Sequence, residues 1–231
     1  MKLQRGVHTS GPTGGRLKTP KAAAVAGIVF SVLLLTAFWL LRSFVPSDPL
    51  DSGEWLKADT SAILVGLNLI PFAGIAFLWF MGVLRDRFGV HEDRFFATVF
   101  FGSGLLCLAL LFFGTATAGA IIMAAADRPE ALINSEAFRV ARILTYAIIN
   151  IYLVKMEVVF VVSLSTIAMY TRIAPRSLAV LGYASSLVLL IGTAFSAWSF
   201  VAFPLWVLAL SIYILFENLR RSDRGVPTHA H

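Results

Sequence analysis

The sequence predicts an all-α membrane protein, a bundle of six transmembrane helices with both termini on the cytoplasmic side. Three observations predict it. Hydrophobic residues make up 58% of the 231 and charged residues only 14%, with a mean hydropathy of +0.81, whereas roughly a quarter of a soluble domain is charged. The charges gather between long empty intervals, at 22–41, 60–84, 95–126, 143–171 (broken only by Lys155 and Glu157) and 177–216. Within them the chain is continuously apolar and does not alternate, which argues against the strands of a transmembrane barrel.

About 20 helical residues span a hydrocarbon core about 30 Å thick. Four intervals therefore cross once. The fifth is twice that length and is expected to fold back near 196–204, where small residues and Pro204 interrupt the aliphatic run. Helices are expected at 22–45, 60–84, 95–125, 140–171, 177–196 and 200–217, making one transmembrane domain over 22–217. A basic tail, 1–21, rich in Gly, Pro, Ser and Thr, precedes it and is expected to be disordered; a tail over 218–231 follows. The first apolar run is too long for a secretory leader and lacks a small-x-small cleavage signal after it, so it is expected to be retained.

Orientation follows from Lys and Arg, which accumulate in cytoplasmic loops. One set of connections holds Lys2, Arg5, Arg16, Lys18 and Lys21, then Arg85, Arg87 and Arg94, then Arg172 and Arg176, then Arg220, Arg221 and Arg224. The alternate set holds only Arg42, Lys57, Arg128, Arg139 and Arg142. Both termini are thus expected in the cytoplasm, in a bacterial cytoplasmic membrane. The pI of 9.8 reflects this asymmetry and attraction to anionic head groups, and no nucleic-acid partner is expected.

Helix 1 carries Ala23, Gly27 and Ser31 at four-residue spacing, a small stripe that lets another helix approach closely. Packing within the chain is the first use expected of it; docking of a second copy or of a membrane partner protein is the second. In helix 2, Pro71 removes a backbone donor and frees the Leu67 carbonyl, and Asn68 stands one turn away as a polar group for the bundle interior. The loop 85–94 is dense in alternating charge and offers a second docking surface. His91, Glu92 and Asp93 there are adjacent and do not converge on one centre, so no metal is expected, nor at His229 and His231. Helix 3 is small-residue-rich over 114–120 and holds the one cysteine, Cys107, read as inert packing. The segment 127–142 is expected to form a short interfacial helix over an outer cavity.

Helix 4 carries ionisable residues far from either end. A charge at mid-bilayer costs at least ~2.5–3.5 kcal/mol on insertion scales, so Lys155 and Glu157 are expected to face protein or water. At i and i+2 they lie roughly 200° apart and meet different neighbours. On a straight helix Glu157 shares a face with Asn150 and Tyr146, which suggests a polar stripe aimed at Asn68 and the Pro71 kink. Lys155 shares its face with Tyr152 and Ser163, and is expected to find hydroxyls or carbonyls of helix 3 or 5, such as Thr115, Ser185, Ser186 or Thr193. Such a stripe serves as polar glue or as a proton or ion relay.

The chain has no phosphate loop, no His-Glu-x-x-His, no Gly-x-Ser-x-Gly and no paired histidines for haem, so no cofactor is expected and an enzyme is disfavoured. Arg139, Glu136 and Asp127 would be the outer cluster for one. The run 84–111, with Arg85-Asp86-Arg87-Phe88-Gly89, Glu92-Asp93-Arg94 and Gly102-Ser103-Gly104-Leu105-Leu106, resembles multi-pass membrane proteins of actinobacterial type. The end of the chain, with Phe203-Pro204-Leu205-Trp206 and Asn218-Leu219-Arg220-Arg221, shows the same resemblance. It implies a bacterial plasma membrane and no activity. The function expected first is an accessory or scaffold subunit of a membrane complex; a small proton- or ion-coupled transporter or channel is second, and a membrane enzyme third.

Overall fold

Helix ends in this chain are set by prolines, short caps and a few charged turns. The structure, a computed structural model, describes residues 19–88, 94–171, 174–193, 195–196 and 198–224. Helix α1 (Thr19–Phe44) stops just ahead of Pro46, since the residue before a proline is pushed away from helical angles. A 3₁₀ turn, Glu54–Lys57, interrupts the loop that follows. Helix α2 (Ser61–Phe88) starts where the Asp59 carboxylate accepts from the Ser61 N–H at 2.9 Å. This bond holds the Asp59 pKa below the usual carboxylate value. After α3 (Arg94–Ala125) comes a single turn, α4 (Pro129–Ile133), with proline at its first position. Ser135 then caps α5 (Glu136–Ala147) by accepting from the Phe138 N–H at 3.2 Å. A π-helical segment, Ile148–Leu153, joins α5 without a break to α6 (Val154–Thr171). Helix α7 (Arg176–Gly192) begins after Pro175, and α8 (Ala202–Arg224) accommodates Pro204 in its first turn, where no backbone donor is needed.

All regular structure among the described residues is helical. Among the described residues five helical stretches are long and apolar enough to cross a membrane: Ala22–Phe44, Ser61–Arg85, Phe95–Ala125, Glu136–Thr171 and Ser199–Arg220. Helix α7 is apolar and, at 17 residues, shorter. It ends at Gly192, ahead of the expected 196, and the connection to α8 is a 3₁₀ turn over Ser199–Val201. The fourth long helix begins at Glu136 and not at 140, because the Ser135 cap adds a turn.

The helices form a closed ring: α1 packs on α2, α2 on α3, α3 on α6, α6 on α7, α7 on α8, and α8 on α1. Contacts such as Gly27 with Ser211 and Trp39 with Trp198 set α8 antiparallel to α1. Those between Gly182 and Ser165 and between Gly192 and Ser199 run α7 from the end of α6 back to the start of α8. The start of α1 and the end of α8 therefore lie at one end of the bundle. At the other, α1 leads into α2 and α3 meets α5.

The middle of the ring is plugged by phenylalanines, one or two from each of five helices. Phe77 stands 4.6 Å from Phe30 and 5.0 Å from Phe160, while Phe160 stands 5.0 Å from Phe100 and 5.9 Å from Phe203. Tilted and edge-on pairs at these separations satisfy the ring quadrupoles. Close helix approach is bought by small residues, since in lipid packing and not water exclusion holds helices together. A Cβ on Gly27 would land on Ser211 Oγ, one on Gly182 on Ser165 Oγ, and one on Gly104 on the Met81 sulfur. Ala23, Gly27 and Ser31 all face inward, the first and last fully buried. The outside is apolar instead, with Val25, Val29, Phe72, Trp79, Leu187 and Ile191 exposed. Only 33% of the most apolar stretch of α3 is buried, and an apolar surface that extensive belongs in lipid.

Candidate functional site

The π segment lies near the middle of the continuous helix Glu136–Thr171, just on the side away from the chain termini. A π turn takes in one residue more than an α turn, which widens the helix and offsets later side chains by roughly 100° from a straight wheel. Carbonyls in it and just before it find side-chain donors: Lys155 Nζ donates to that of Ile151 at 3.3 Å, and Asn150 Nδ2 to that of Tyr146 in α5 at 2.9 Å. Beside this widened turn, between α1, α2, α3 and α5, lies a cavity of ≈ 160 Å³.

Its body is apolar, walled by Phe38, Ile63, Leu67, Ile70, Leu111 and Ile122. Toward the loops it turns polar, with Arg42, Arg142, Tyr146 and Asn150 in the wall and Trp55 and Phe200 closing it. The Arg42 guanidinium lies 5.7 Å from the Phe200 ring centre, and that of Arg142 5.4 Å from the Trp55 ring. Arg142 is only 8% exposed and donates from Nη2 to the Asp48 carbonyl at 2.7 Å. Among the described residues neither arginine forms an ion pair. Two buried donors here, Arg142 Nε and Trp55 Nε1, have no acceptor. In the loop above, the Asp48 carboxylate accepts from the Leu50 N–H at 2.8 Å, and that of Asp51 from the Gly53 N–H at 3.0 Å. Lys57 pairs with Glu54 of its own turn at 2.9 Å and reaches Glu130 of α4 at 3.7 Å, and its bond to Glu54 raises its pKa.

No family model, curated protein or solved structure matches this chain. The site is therefore read from its own residues. The structure brings Tyr146 and Asn150 together in the cavity wall. Glu157 is not part of that wall; the π offset is the physical reason that the straight-helix stripe stops short of it. Glu157 is 2% exposed, facing α3 near Cys107, and its Oε2 has no hydrogen-bond partner. Asn68 and Pro71 lie on the exposed side of α2. Asn68 Nδ2 donates to the Leu64 carbonyl at 2.8 Å, not to that of Leu67, so the expected pairing with Glu157 does not form. Lys155 is exposed beside exposed Tyr152, whereas Ser163 is buried. Its ammonium bonds its own helix and none of the hydroxyls expected of helices 3 and 5.

The expected interfacial segment becomes α4 and the first turns of α5, and Phe138 from it packs over Gly53, whose φ of 81° a side chain rarely adopts. A shallower cleft of ≈ 340 Å³ nearby is lined by Asp51, Glu136 and Arg139. Glu136 and Arg139 pair across 3.6 Å in the open, and Asp127 is exposed outside that cleft. In the loop 85–94, Arg85 stacks 4.6 Å from the Phe101 ring; residues 89–93, with His91, Glu92 and Asp93, lie outside the described residues, as do His229 and His231. No group of three metal-ligating side chains gathers among the described residues. Sequence reasoning missed Arg42, Arg142 and Trp55 as a set. The available signal was that two of the few basic residues on the sparsely charged side sit at helix ends, within reach of the bundle.

Proposed function

We propose that this protein is an accessory or scaffold subunit of a complex in the bacterial cytoplasmic membrane, with six spans and both termini in the cytoplasm. In this reading α7 is the sixth span: 17 residues make ~26 Å of helix. The basic residues Arg85, Arg176 and Arg220 then share the cytoplasmic end.

The observation that carries the subunit reading is the position of Lys155. About 24 Å of helix separates it from Thr171 and about 28 Å from Glu136, so its ammonium sits near mid-bilayer on an exposed face. One intrahelical bond uses one of its three donors. A lone charge there costs ~2.5–3.5 kcal/mol on insertion scales, and a carboxylate on a neighbouring helix would offset that cost. A second copy of this chain has none to offer, because Glu157 is the sole acidic residue near the middle of any span and it is buried. The complement is a transmembrane helix of another protein with Asp or Glu at mid-depth.

The test compares migration of the full chain, solubilised gently from its native membrane, with that of Lys155→Met and Lys155→Arg. The reading expects a discrete assembly with wild type and Lys155→Arg, and the lone chain with Lys155→Met. A lone chain in all three overturns it.

A second reading rests on the unpartnered Oε2 of Glu157: a buried carboxyl that loads and unloads a proton in a proton-coupled transporter. The phenylalanine plug argues against an open central pore. Proton flux in proteoliposomes that vanishes in Glu157→Gln at matched insertion would favour this second reading over the first.

A further inference from the structure

The geometry points to the cavity between α1, α2, α3 and α5 as a binding site for an aliphatic anion, one hydrocarbon chain ending in a carboxylate or phosphate. Buried polar atoms are nearly always paired, and each orphan costs about 1–3 kcal/mol. Here both orphans on cavity-lining residues, Arg142 Nε and Trp55 Nε1, are N–H donors with almost no surface open to the cavity; the donor a ligand can meet is the Arg42 guanidinium, which among the described residues contacts only the Phe200 ring and forms no ion pair. Arg42 and Arg142 make that ligand an anion. Among the described residues neither forms an ion pair; the Asp48 and Asp51 carboxylates keep their charge and act on Arg142 from a distance, whereas no carboxylate acts on Arg42.

The rest of the cavity sets the remainder of the molecule. Below the arginines the wall is mainly aliphatic and aromatic, from Phe38 and Ile63 to Leu111 and Ile122, with Thr115, Tyr146 and Asn150 the polar side chains among them. The volume of ≈ 160 Å³ compares with about 150 Å³ for an apolar protein cavity that takes up benzene. It holds part of one chain and excludes a two-chain lipid. A guanidinium gives a forked, two-bond contact to either a carboxylate or a phosphate, so both heads are admitted. The π turn that widens the bundle at Ile149 and Asn150 makes the room.

The test uses the full chain in nanodiscs of zwitterionic lipid. Trp55 and Trp198 line the cavity, so a brominated chain bound there quenches their fluorescence. The probes are 2-bromododecanoate and 2-bromododecyl phosphate, whose bromine lies beside the head and so near the tryptophans, against the alcohol and the quaternary ammonium of equal length brominated at the same carbon. Saturable quenching by the two anions alone is expected, roughly tenfold to hundredfold weaker in Arg42→Gln and absent in Ala118→Leu, which fills the wall from α3. Equal quenching by all four probes, or by the anions in wild type and both variants alike, means simple partition into lipid and overturns the proposal. Displacement of the probes by inorganic phosphate at similar concentration also overturns it, because the site would then recognise the head without the chain.

Discussion

Gly27 and Gly82 are both helical glycines, yet their surroundings differ completely. A Cβ on Gly27 falls on Ser211 Oγ of α8 and lies 2.8 Å from Cδ2 of Phe80, a ring that is fully buried. A Cβ on Gly82 meets nothing within 4 Å. Ordinary carbon contacts sit at about 3.5–4.0 Å, so Gly27→Ala forces α1, α8 or Phe80 to give by roughly 0.7–1.2 Å, and such a gap forfeits a quarter to a half of the local dispersion well. Overpacking of this kind costs about 1–3 kcal/mol. Helix propensity favours Ala over Gly by ~1 kcal/mol, but that gain is common to both substitutions and cancels in their difference. Gly27→Ala should therefore be less stable than Gly82→Ala by about 1–3 kcal/mol, roughly fivefold to 150-fold in the unfolding equilibrium. Reversible SDS unfolding in mixed micelles, followed by circular dichroism, measures it. Adding Ser211→Gly should restore part of the loss, since the clashing hydroxyl is removed while Phe80 remains. Equal stability of the two alanine variants would refute the inward placement of the Ala23, Gly27, Ser31 stripe.

Further predictions rest on single contacts. Gly53→Ala places a side chain at a φ of 81° and against the Phe138 ring; it should cost about 1–2 kcal/mol locally and speed proteolytic nicking of the 45–60 loop. Asp59 is held below its ordinary pKa by the Ser61 N–H, so its contribution to the start of α2 is present above the unfolded carboxylate pKa and lost as pH falls through the depressed value. Hydrogen exchange in the first turn of α2 should rise over that acid range in wild type and lack that pH dependence in Asp59→Asn. Phe160→Ala removes the ring that joins Phe77, Phe100 and Phe203, and a thermal midpoint unchanged from wild type would contradict the plug.

The spans were legible because lipid demands apolar residues over the whole crossing, which leaves charge-free intervals no soluble helix shows. The same demand hides which face points inward. In α1 the exposed Val25, Val29 and Val32 are as apolar as the buried Phe30 and Leu34, so the wheel carries little contrast, and only the small stripe of Ala23, Gly27 and Ser31 stands out. On α6 the i, i+2 spacing correctly separated Lys155 from Glu157 but did not say which was buried. The π turn at 148–153 has no signature in composition, and it is what parts Glu157 from Tyr146 and Asn150. The cavity pair was hidden for another reason: Arg42 and Arg142 lie 100 residues apart and reach one cavity only because the end of α1 and the start of α5 lie at the same level.

The proposed role turns on whether another protein covers the exposed face of α6. A photo-crosslinking residue in place of Tyr152, one turn from Lys155, reports on it directly when the full chain is illuminated in its native membrane. The account predicts one dominant adduct, to a transmembrane helix of a different protein bearing Asp or Glu at mid-span, that is lost in Lys155→Met. Adducts to lipid alone, or to a second copy of this chain, would contradict it.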